Sequence, residues 1–304
     1  MDLQIPERFK ERYVPLVDDP ESFLSSLLRY LPKTFRVNTL KASSADIASR
    51  FRGYGIAVRQ MPWYEDAFLS ESLDAGSTIE HFTGSIYMQE FVSMLPPLLL
   101  RKELAAARFV LDGCAAPGSK TTQLAALMGN RGTIVANDID YSRIRALKFN
   151  IEKTGTLNAV ITNRDLRSFP QMQFDAIILD APCSAEGTMR KNAELFSVWS
   201  EREIEKHSRI QKQLIEKAFD LLAPGGSMVY STCTFAPEEN EAVVDHLLRN
   251  RPAETERISI DGFRTSPALE AWSGTEFDTR VRDSARIWPH HNDSGGFFLA
   301  KVTK

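Results

Sequence analysis

The chain has 304 residues, of which 43% are hydrophobic and 25% charged, with a formal net charge of −3. That composition excludes a disordered chain or a fibrous repeat, and no apolar run reaches the roughly 20 residues of a membrane span. Three cysteines, an odd number in so long a chain, exclude a disulfide framework and point to a reducing compartment, the cytoplasm.

The opening stretch, MDLQIPERFKERY, is charged and holds no apolar signal core. No Cys/His spacing suggests a metal site. Residues 1–60 hold ten Lys/Arg against seven Asp/Glu, and the remainder holds 27 against 33. A mildly basic front on an acidic body is compatible with a docked polyanion, but the excess is small and on charge alone a solvated surface is the stronger reading.

In chain order, residues 1–32 read as apolar-periodic helix broken at Pro6, Pro15, Pro20 and Pro32. Strand-like 35–40, helix-like 44–51 capped by Ser43 or Ser44, a turn at 53–55 and strand-like 56–59 make a β-α-β unit. A small α/β appendage over 1–80 is expected, ahead of a main domain over 81–304. Arg36, Arg52, Arg59, Trp63 and Tyr64 mix cations with aromatics as a surface for single-stranded RNA does. Buried aromatics beside solvated arginines are the competing reading. Residues 81–88 fit a short connecting hairpin, and 89–104 a helix carrying Pro96-Pro97.

The main domain is organised around FVLDGCAAPGSKTT at 109–122. An apolar run ends at Asp112, small residues follow from Gly113 to Ser119, and a helical pattern starts at Lys120. This outlines a buried strand, a tight turn and a helix N-terminus. Small residues admit close backbone approach to a ligand, and the helix start offers free N–H groups. Plain close packing uses the same turn. Asp138 ends the next apolar run and lies 20 residues beyond Gly118, about where a nucleotide-binding fold places its ribose-binding carboxylate.

Strands and helices then alternate: helix 120–128, strand 133–137, helix 141–153, strand 159–162, strand 174–179, helix 201–222, strand 227–230 and helix 237–249. A weaker segment and a final strand at 296–302 close the chain. Such repeats imply an open parallel sheet with helices on both faces and ligands at the C-terminal strand ends. That edge gathers Asp112, Asp138, Asp165, Asp180 and Cys233, although any single acid there can be a helix cap.

Asp180-Ala-Pro-Cys183 follows one strand and Ser231-Thr-Cys233 the next. Consecutive strands are usually neighbours, so the two thiols should face one cleft beside Asp180. A free cysteine is often an inert buried hydrophobe; two at matching strand ends, each in a polar loop, suggest chemistry. Adding a thiolate to C6 of cytosine makes C5 a carbon nucleophile, and a carboxyl group can assist at N3 and N4. A second thiol can assist release.

The blocks DGCAAPGSKT, NDID, the Asp165 loop, DAPCSAEGT and STCTFAPEENE, in this order, resemble the Sun-type RNA cytosine-5 methyltransferase family. RVNTLK at 36–41 and the terminal GGFFLAKV resemble its flanking blocks. The resemblance implies a class I Rossmann-like α/β methyltransferase with a mostly parallel sheet, preceded by a small RRM-like α/β domain. It implies S-adenosyl-L-methionine as methyl donor, held by Cys114, Ala115, Ala116, Pro117, Gly118, Ser119 and Lys120. Asp138 would bind the ribose with Arg143 close by, Asp165 would reach the adenine, and Asp180 would lie between cofactor and base. Cys233 is implied as nucleophile, Cys183 as assisting release, and Lys120 as standing near the target base. Ser119 departs from the family's usual second glycine, so the turn must avoid a glycine-only conformation there.

The implied partner is RNA, with no membrane and no metal. Arg190-Lys191-Asn192 resembles a stretch in tRNA-modifying members, favouring tRNA over rRNA. The readings weighed against this one are a DNA cytosine-5 methyltransferase, an RNA-binding protein with a decayed domain, and a small-molecule methyltransferase. No Glu-Asn-Val follows Cys183, and a second cysteine loop is present, which counts against the DNA enzyme.

Overall fold

A computed structural model describes residues 5–71 and 73–304. Residues 1–4, which open the charged stretch, and Ser72, within the expected appendage, lie outside the described residues. Among the described residues no helix is long and apolar enough to cross a membrane.

Helices α1 (Glu7–Tyr13) and α2 (Pro20–Leu27) come first. Pro20 starts α2 rather than breaking it, because Asp19 caps the helix by accepting from the Ser22 amide. Phe9, Tyr13, Phe23 and Leu27 pack with Phe196, Phe235 and Trp288, so this segment clamps onto the main domain.

The N-terminal sheet is built from β1 (Lys33–Val37), β2 (Val58–Met61), β3 (Tyr64–Ser70) and β4 (Ile86–Met88), with α3 (Ser44–Gly53) and α4 (Ile79–Phe82) between them. Its order is β2-β3-β1-β4 and every pairing is antiparallel. The hairpin expected at 81–88 is instead the end of α4 and a strand paired to β1. A division at residue 80 therefore cuts α4 and detaches β4 from its own sheet.

Strand alternation puts Phe35 and Val37 against α3, with Ile47, Phe51, Phe68 and Ile86. The opposite face meets the main domain, which corrects the expected RNA surface. Arg36 is fully buried, donating from Nε to Gln89 Oε1 at 3.0 Å and from Nη2 to Thr122 Oγ1 at 3.1 Å. Tyr64 is buried, and Trp63 packs edge-on against Phe91 and Phe263. Of the five residues named, Arg52 and Arg59 are exposed.

The main domain follows with α5 (Phe91–Leu99), α6 (Arg101–Leu104), β5 (Phe109–Asp112), α7 (Ser119–Leu127), β6 (Thr133–Asn137), α8 (Tyr141–Thr154), β7 (Ala159–Thr162) and β8 (Phe174–Asp180). Next come α9 (Leu195–Val198), α10 (Glu201–Asp220), β9 (Leu222–Thr232) and α11 (Glu241–Asn250). Strands β9-β8-β5-β6-β7 pair in parallel. The order reverses at β5, which opens a crevice at the C-terminal strand ends between β5 and β8.

The rest of the sheet is not parallel. Strands β10 (Glu254–Glu256), β11 (Ser266–Pro267), β14 (Ala285–Ile287) and β15 (Phe297–Thr303) all join it antiparallel, while β12 (Ala271–Trp272) and β13 (Thr275–Glu276) pair separately. This nine-stranded sheet is mixed, correcting the mostly parallel expectation. No long crossover helix intervenes between residues 250 and 297, only a 3₁₀ turn at Thr279–Asp283 and the short α12 (Pro289–Asn292), so the strands return antiparallel. Strands of two or three residues are too short for alternation to reveal.

One buried ion pair ties this antiparallel part to the parallel one. Arg286 on β14 and Glu241 at the start of α11 are 3% and 0% exposed and make a bidentate contact at 2.5 Å. Arg286 also donates to the Phe235 carbonyl at 2.8 Å. Arg286→Ala strands a buried carboxylate and should cost about 3–5 kcal/mol in urea unfolding. A loss below about 1 kcal/mol would show that the pair does not couple the two parts.

Candidate functional site

The turn after β5 is shaped by one glycine. Gly118 takes φ 104°, and Ser119 is already helical at the start of α7, so the glycine-only conformation falls at 118 and not at 119. A Cβ on Gly118 would also approach Leu147 Cδ1 at 3.0 Å. The turn is pinned by Asp138 at the end of β6. Asp138 Oδ2 accepts from the Ala116 amide at 3.0 Å and Oδ1 from the Asp140 amide at 2.9 Å. Arg143 donates to the Ala116 carbonyl and stands 3.9 Å from Asp138 Oδ2.

Under the turn, Asp112 is fully buried and accepts from Thr121 Oγ1 at 2.6 Å, while its Oδ1 has no partner among the described residues. Burial pushes its carboxyl up to about 7. Burial also holds the Cys114 thiol well above the ordinary range.

The parallel pairing of β8 and β9 sets Asp180 opposite Ser231. Asp180 Oδ1 accepts from Ser231 Oγ at 2.7 Å, and Oδ2 accepts from Lys120 Nζ at 2.7 Å. Lys120 also donates to Ser93 Oγ at 3.1 Å and lies 5.8 Å from the centroid of the Phe297 ring. Just beyond, Cys183 Sγ and Cys233 Sγ are 3.3 Å apart, and both are free thiols. The hydrogen bond with Cys233, and then burial, raise the Cys183 thiol well above its usual value.

Two carboxylates that sequence reasoning left without roles hold these loops. Glu186 is fully buried; it accepts from Tyr13 OH at 2.6 Å, Thr234 Oγ1 at 2.7 Å and the Phe235 amide at 3.0 Å. Glu239 accepts from the Ser184 amide at 3.1 Å and Gln211 Nε2 at 2.8 Å, and burial pushes it up to about 7. Both lie inside the quoted blocks CSAEGT and FAPEENE. For Glu186 the signal was an acid in a loop of small residues with no cation beside it, and for Glu239 an acid among other acids with no cation nearby in the chain. Gly187 donates to the Cys233 carbonyl at 2.8 Å, and Gly296 to the Gly187 carbonyl at 2.9 Å. A Cβ on Gly187 would meet the Gly296 carbonyl oxygen at 2.1 Å, so this backbone-to-backbone stack requires glycine.

Two cavities flank this centre. One, about 360 Å³, is lined by Cys114, Asp138, Arg143, Asp165, Asp180, Cys183 and Cys233 among others. The other, about 390 Å³, is lined by Pro117, Ser119, Lys120, Arg190, Gly296 and Phe297 among others. Ala116, Arg143, Asp180 and Cys233 line both. Each is in the range of a small-molecule or single-base site. Ala115 and Gly118 line neither and serve the turn. Asp165 lines the first with its carboxylate gripped by Arg167, whose Nη2 donates at 2.6 Å; that contact holds it below its usual range.

Two expectations change. Arg190 is buried, donating to the carbonyls of Arg29, Tyr30 and Ser294 and to Asp293, so its sequence context reports packing rather than RNA choice. Sequence spacing suggested no metal site, yet the fold brings together Asp18, His290 and His291. Both imidazole Nε2 atoms lie 2.9 Å from Asp18 Oδ1, and Arg264 pairs with Oδ2 at 2.5 Å. A cation already meets that carboxylate, and among the described residues neither imidazole Nδ1 has the partner that a metal-bound histidine normally has.

Residues 99–303 match the family model described as 16S rRNA methyltransferase RsmB/F, and residues 5–91 match the N-terminal domain of 16S rRNA methyltransferase RsmF. The chain is 41% identical over 293 residues to ribosomal RNA small subunit methyltransferase F of Shewanella loihica, covering 93% of this chain and 59% of the relative. It is 39% identical over 306 residues to the tRNA (cytosine(49)-C(5))-methyltransferase of Pyrococcus abyssi, covering 99% and 97%. A methyltransferase homologue from Pyrococcus horikoshii superposes with a TM-score of 0.87 at 34% identity, covering 99% and 96%. The chain spans 58–64% of the length of the ribosomal RNA relatives it matches.

Asp112 makes stability depend on pH. Its carboxyl sits near 7 when folded, against an ordinary 3.8. The stability it contributes is complete below about pH 4 and is lost as pH rises through 7. Thermal melts from pH 4 to 8 should therefore show wild type falling relative to Asp112→Asn. Parallel curves would contradict the assignment.

Proposed function

The chain belongs to the Sun/RsmB-F family of RNA cytosine-5 methyltransferases, and we propose that it methylates C5 of a cytosine in RNA through a covalent adduct at Cys233. The observation that carries this reading is the pair of thiols 3.3 Å apart beside Asp180, at the join of two cavities.

The 360 Å³ cavity fits S-adenosyl-L-methionine. Its wall carries the turn after β5 and the carboxylates of Asp138, Asp165 and Asp180, which would hold the ribose, the adenine and the end nearest the base. S-adenosyl-L-methionine, when bound, supplies a methyl group on a sulfonium sulfur. In the neighbouring cavity Cys233 adds to C6 of the target base, which makes C5 a nucleophile towards that methyl carbon. Asp180 hydrogen-bonds the N3/N4 edge while Lys120 balances its charge. After transfer, C5 gives up its proton to a base and the C6–sulfur bond breaks. Cys183, held as a thiol facing Cys233, donates to the departing sulfur and stabilises it as a thiolate. Both thiols must stay reduced to work, which suits the cytoplasm.

We take small-subunit rRNA as the substrate, supported by the two family models and the names of most relatives. A tRNA substrate is the second reading, favoured by 39% identity along nearly the whole length of the Pyrococcus abyssi tRNA enzyme. We divide the chain near Glu90, with the preceding residues as an accessory domain. The order β2-β3-β1-β4, with helices after β1 and after β3, supports an RRM-like reading of that domain.

Cys233→Ala should abolish methyl transfer, while Cys183→Ala should accumulate a protein–RNA adduct visible on a denaturing gel and absent from the double variant. Normal turnover by Cys183→Ala without adduct would leave that thiol only a packing role. Asp138→Ala removes a charge-assisted contact of about 1.5–3 kcal/mol. Cofactor affinity by calorimetry should fall about ten- to a hundredfold, and unchanged affinity would refute the ribose role. Bisulfite sequencing of rRNA and tRNA incubated with the protein separates the two substrates.

A further inference from the structure

Helix α8 begins at the active site and carries an unusual outer surface. Its sequence, YSRIRALKFNIEKT, holds four cations and one acid in a chain whose net charge is −3. Tyr141 and Phe149 are 73% and 61% exposed, and Arg145 and Lys148 are exposed between them. The nearby acids are committed: Asp140 caps the helix and bonds Ser142, and Glu152 faces Lys148 at 3.8 Å. At its start, Arg143 lines both active-site cavities. Midway, Asn150 donates to the carbonyl of Pro117, which lines the base cavity, at 2.9 Å.

The far end of α8 meets the N-terminal domain across a broad open groove of about 720 Å³. Phe82 of α4, 78% exposed, and Phe149 of α8 both line it, with His81 and Lys153. Lys153 Nζ lies 6.0 Å from the centroid of the Phe149 ring. Lys41 bridges the groove's rim, donating to the carbonyls of Thr83 and Lys153 at 2.6 Å each. Its charge, after burial, helps depress Lys153, as expected where two ammonium groups share a site that an anion would relieve.

Exposed aromatic rings spaced by cations are what unpaired nucleotides need: faces to stack bases on and charges to follow the phosphates. The distance along the helix from Arg143 to Phe149 is about 9 Å, a short step from the target base.

We propose that the outer face of α8 and the groove between Phe149 and Phe82 bind the single-stranded RNA flanking the target cytosine, stacking its bases on these two rings. This rests on the RNA substrate proposed above. It also relocates the RNA surface expected around Arg36, Trp63 and Tyr64, because at the domain junction Arg36 and Tyr64 are buried and Trp63 is partly buried.

The test uses the full chain with a small-subunit rRNA transcript for methyl transfer and a fluorescein-labelled mixed-sequence RNA 12-mer for binding. Both rings are exposed, so Phe82→Ala/Phe149→Ala should keep the wild-type melting temperature and cofactor affinity. Its KM for RNA and Kd for the 12-mer should rise about tenfold per ring, with kcat nearly kept. Tyr at both positions should restore binding and Leu should not, because stacking needs a ring. Arg145→Gln/Lys148→Gln should lower the slope of log Kd against log salt by about 1.4, or 0.7 per lost phosphate contact. Unchanged RNA affinity and salt slope in both double variants would overturn the proposal, and would leave the patch as a protein-docking face. Rescue by Leu as complete as by Tyr would also overturn it. Failure of the substrate reading is separate: wild type would bind the 12-mer through this face yet transfer no methyl group to any RNA.

Discussion

The site depends on one buried carboxylate. Glu186 sits in the loop after β8 and accepts from Tyr13 of α1, from Trp199, and from Thr234 and the Phe235 amide in the loop after β9. A carboxyl group removed from water is tolerated only when its polar atoms are satisfied. Glu186 meets that condition only when the N-terminal clamp and both cysteine loops are docked together. The 3.3 Å approach of the two sulfurs is thus set by the closure of this network. Parallel pairing of β8 and β9 alone brings the loops near without fixing their spacing.

The antiparallel half of the sheet serves the same end. Strand β15 pairs with β9 from Phe298–Thr232 to Thr303–Ser227, and so delivers Gly295, Gly296 and Phe297 to the base cavity. Gly296 then stacks on Gly187, whose amide holds the Cys233 carbonyl. A last strand laid parallel would instead begin at the edge of the sheet away from the crevice, carry Gly295, Gly296 and Phe297 there, and leave this wall open. The mixed topology places an aromatic ring and a glycine stack beside Lys120 and Cys233.

Much of this was legible in the sequence. The strands ending at Asp112, Asp138, Asp180 and Cys233 have continuous apolar runs of ordinary length, and α10 between the last two is strongly periodic. The facing of Cys183 and Cys233 followed from strand adjacency alone. What was not legible has physical causes. The strands between residues 250 and 290 are two or three residues long, so alternation carries no signal. Arg36, Trp63 and Tyr64 looked like surface because cations and aromatics are ambiguous one at a time. Only the packing of the N-terminal sheet on α5 and α7 shows that Arg36 spends its charge on Gln89 and Thr122. Glu186 and Glu239 were passed over because an acid in a loop is normally solvated, and their burial is a tertiary property.

The central claim is that Cys233, and not Cys183, forms the bond to the base. The most direct test is peptide mapping after reaction with S-adenosyl-L-methionine and RNA transcripts carrying 5-fluorocytosine. Fluorine at C5 cannot leave as a proton does, so the methylated adduct cannot resolve. The account predicts a stable cross-link with the methylated nucleotide on the peptide that contains Cys233. A cross-link on the Cys183 peptide, or methyl transfer to normal RNA with no cross-link to the fluorinated one, would contradict it.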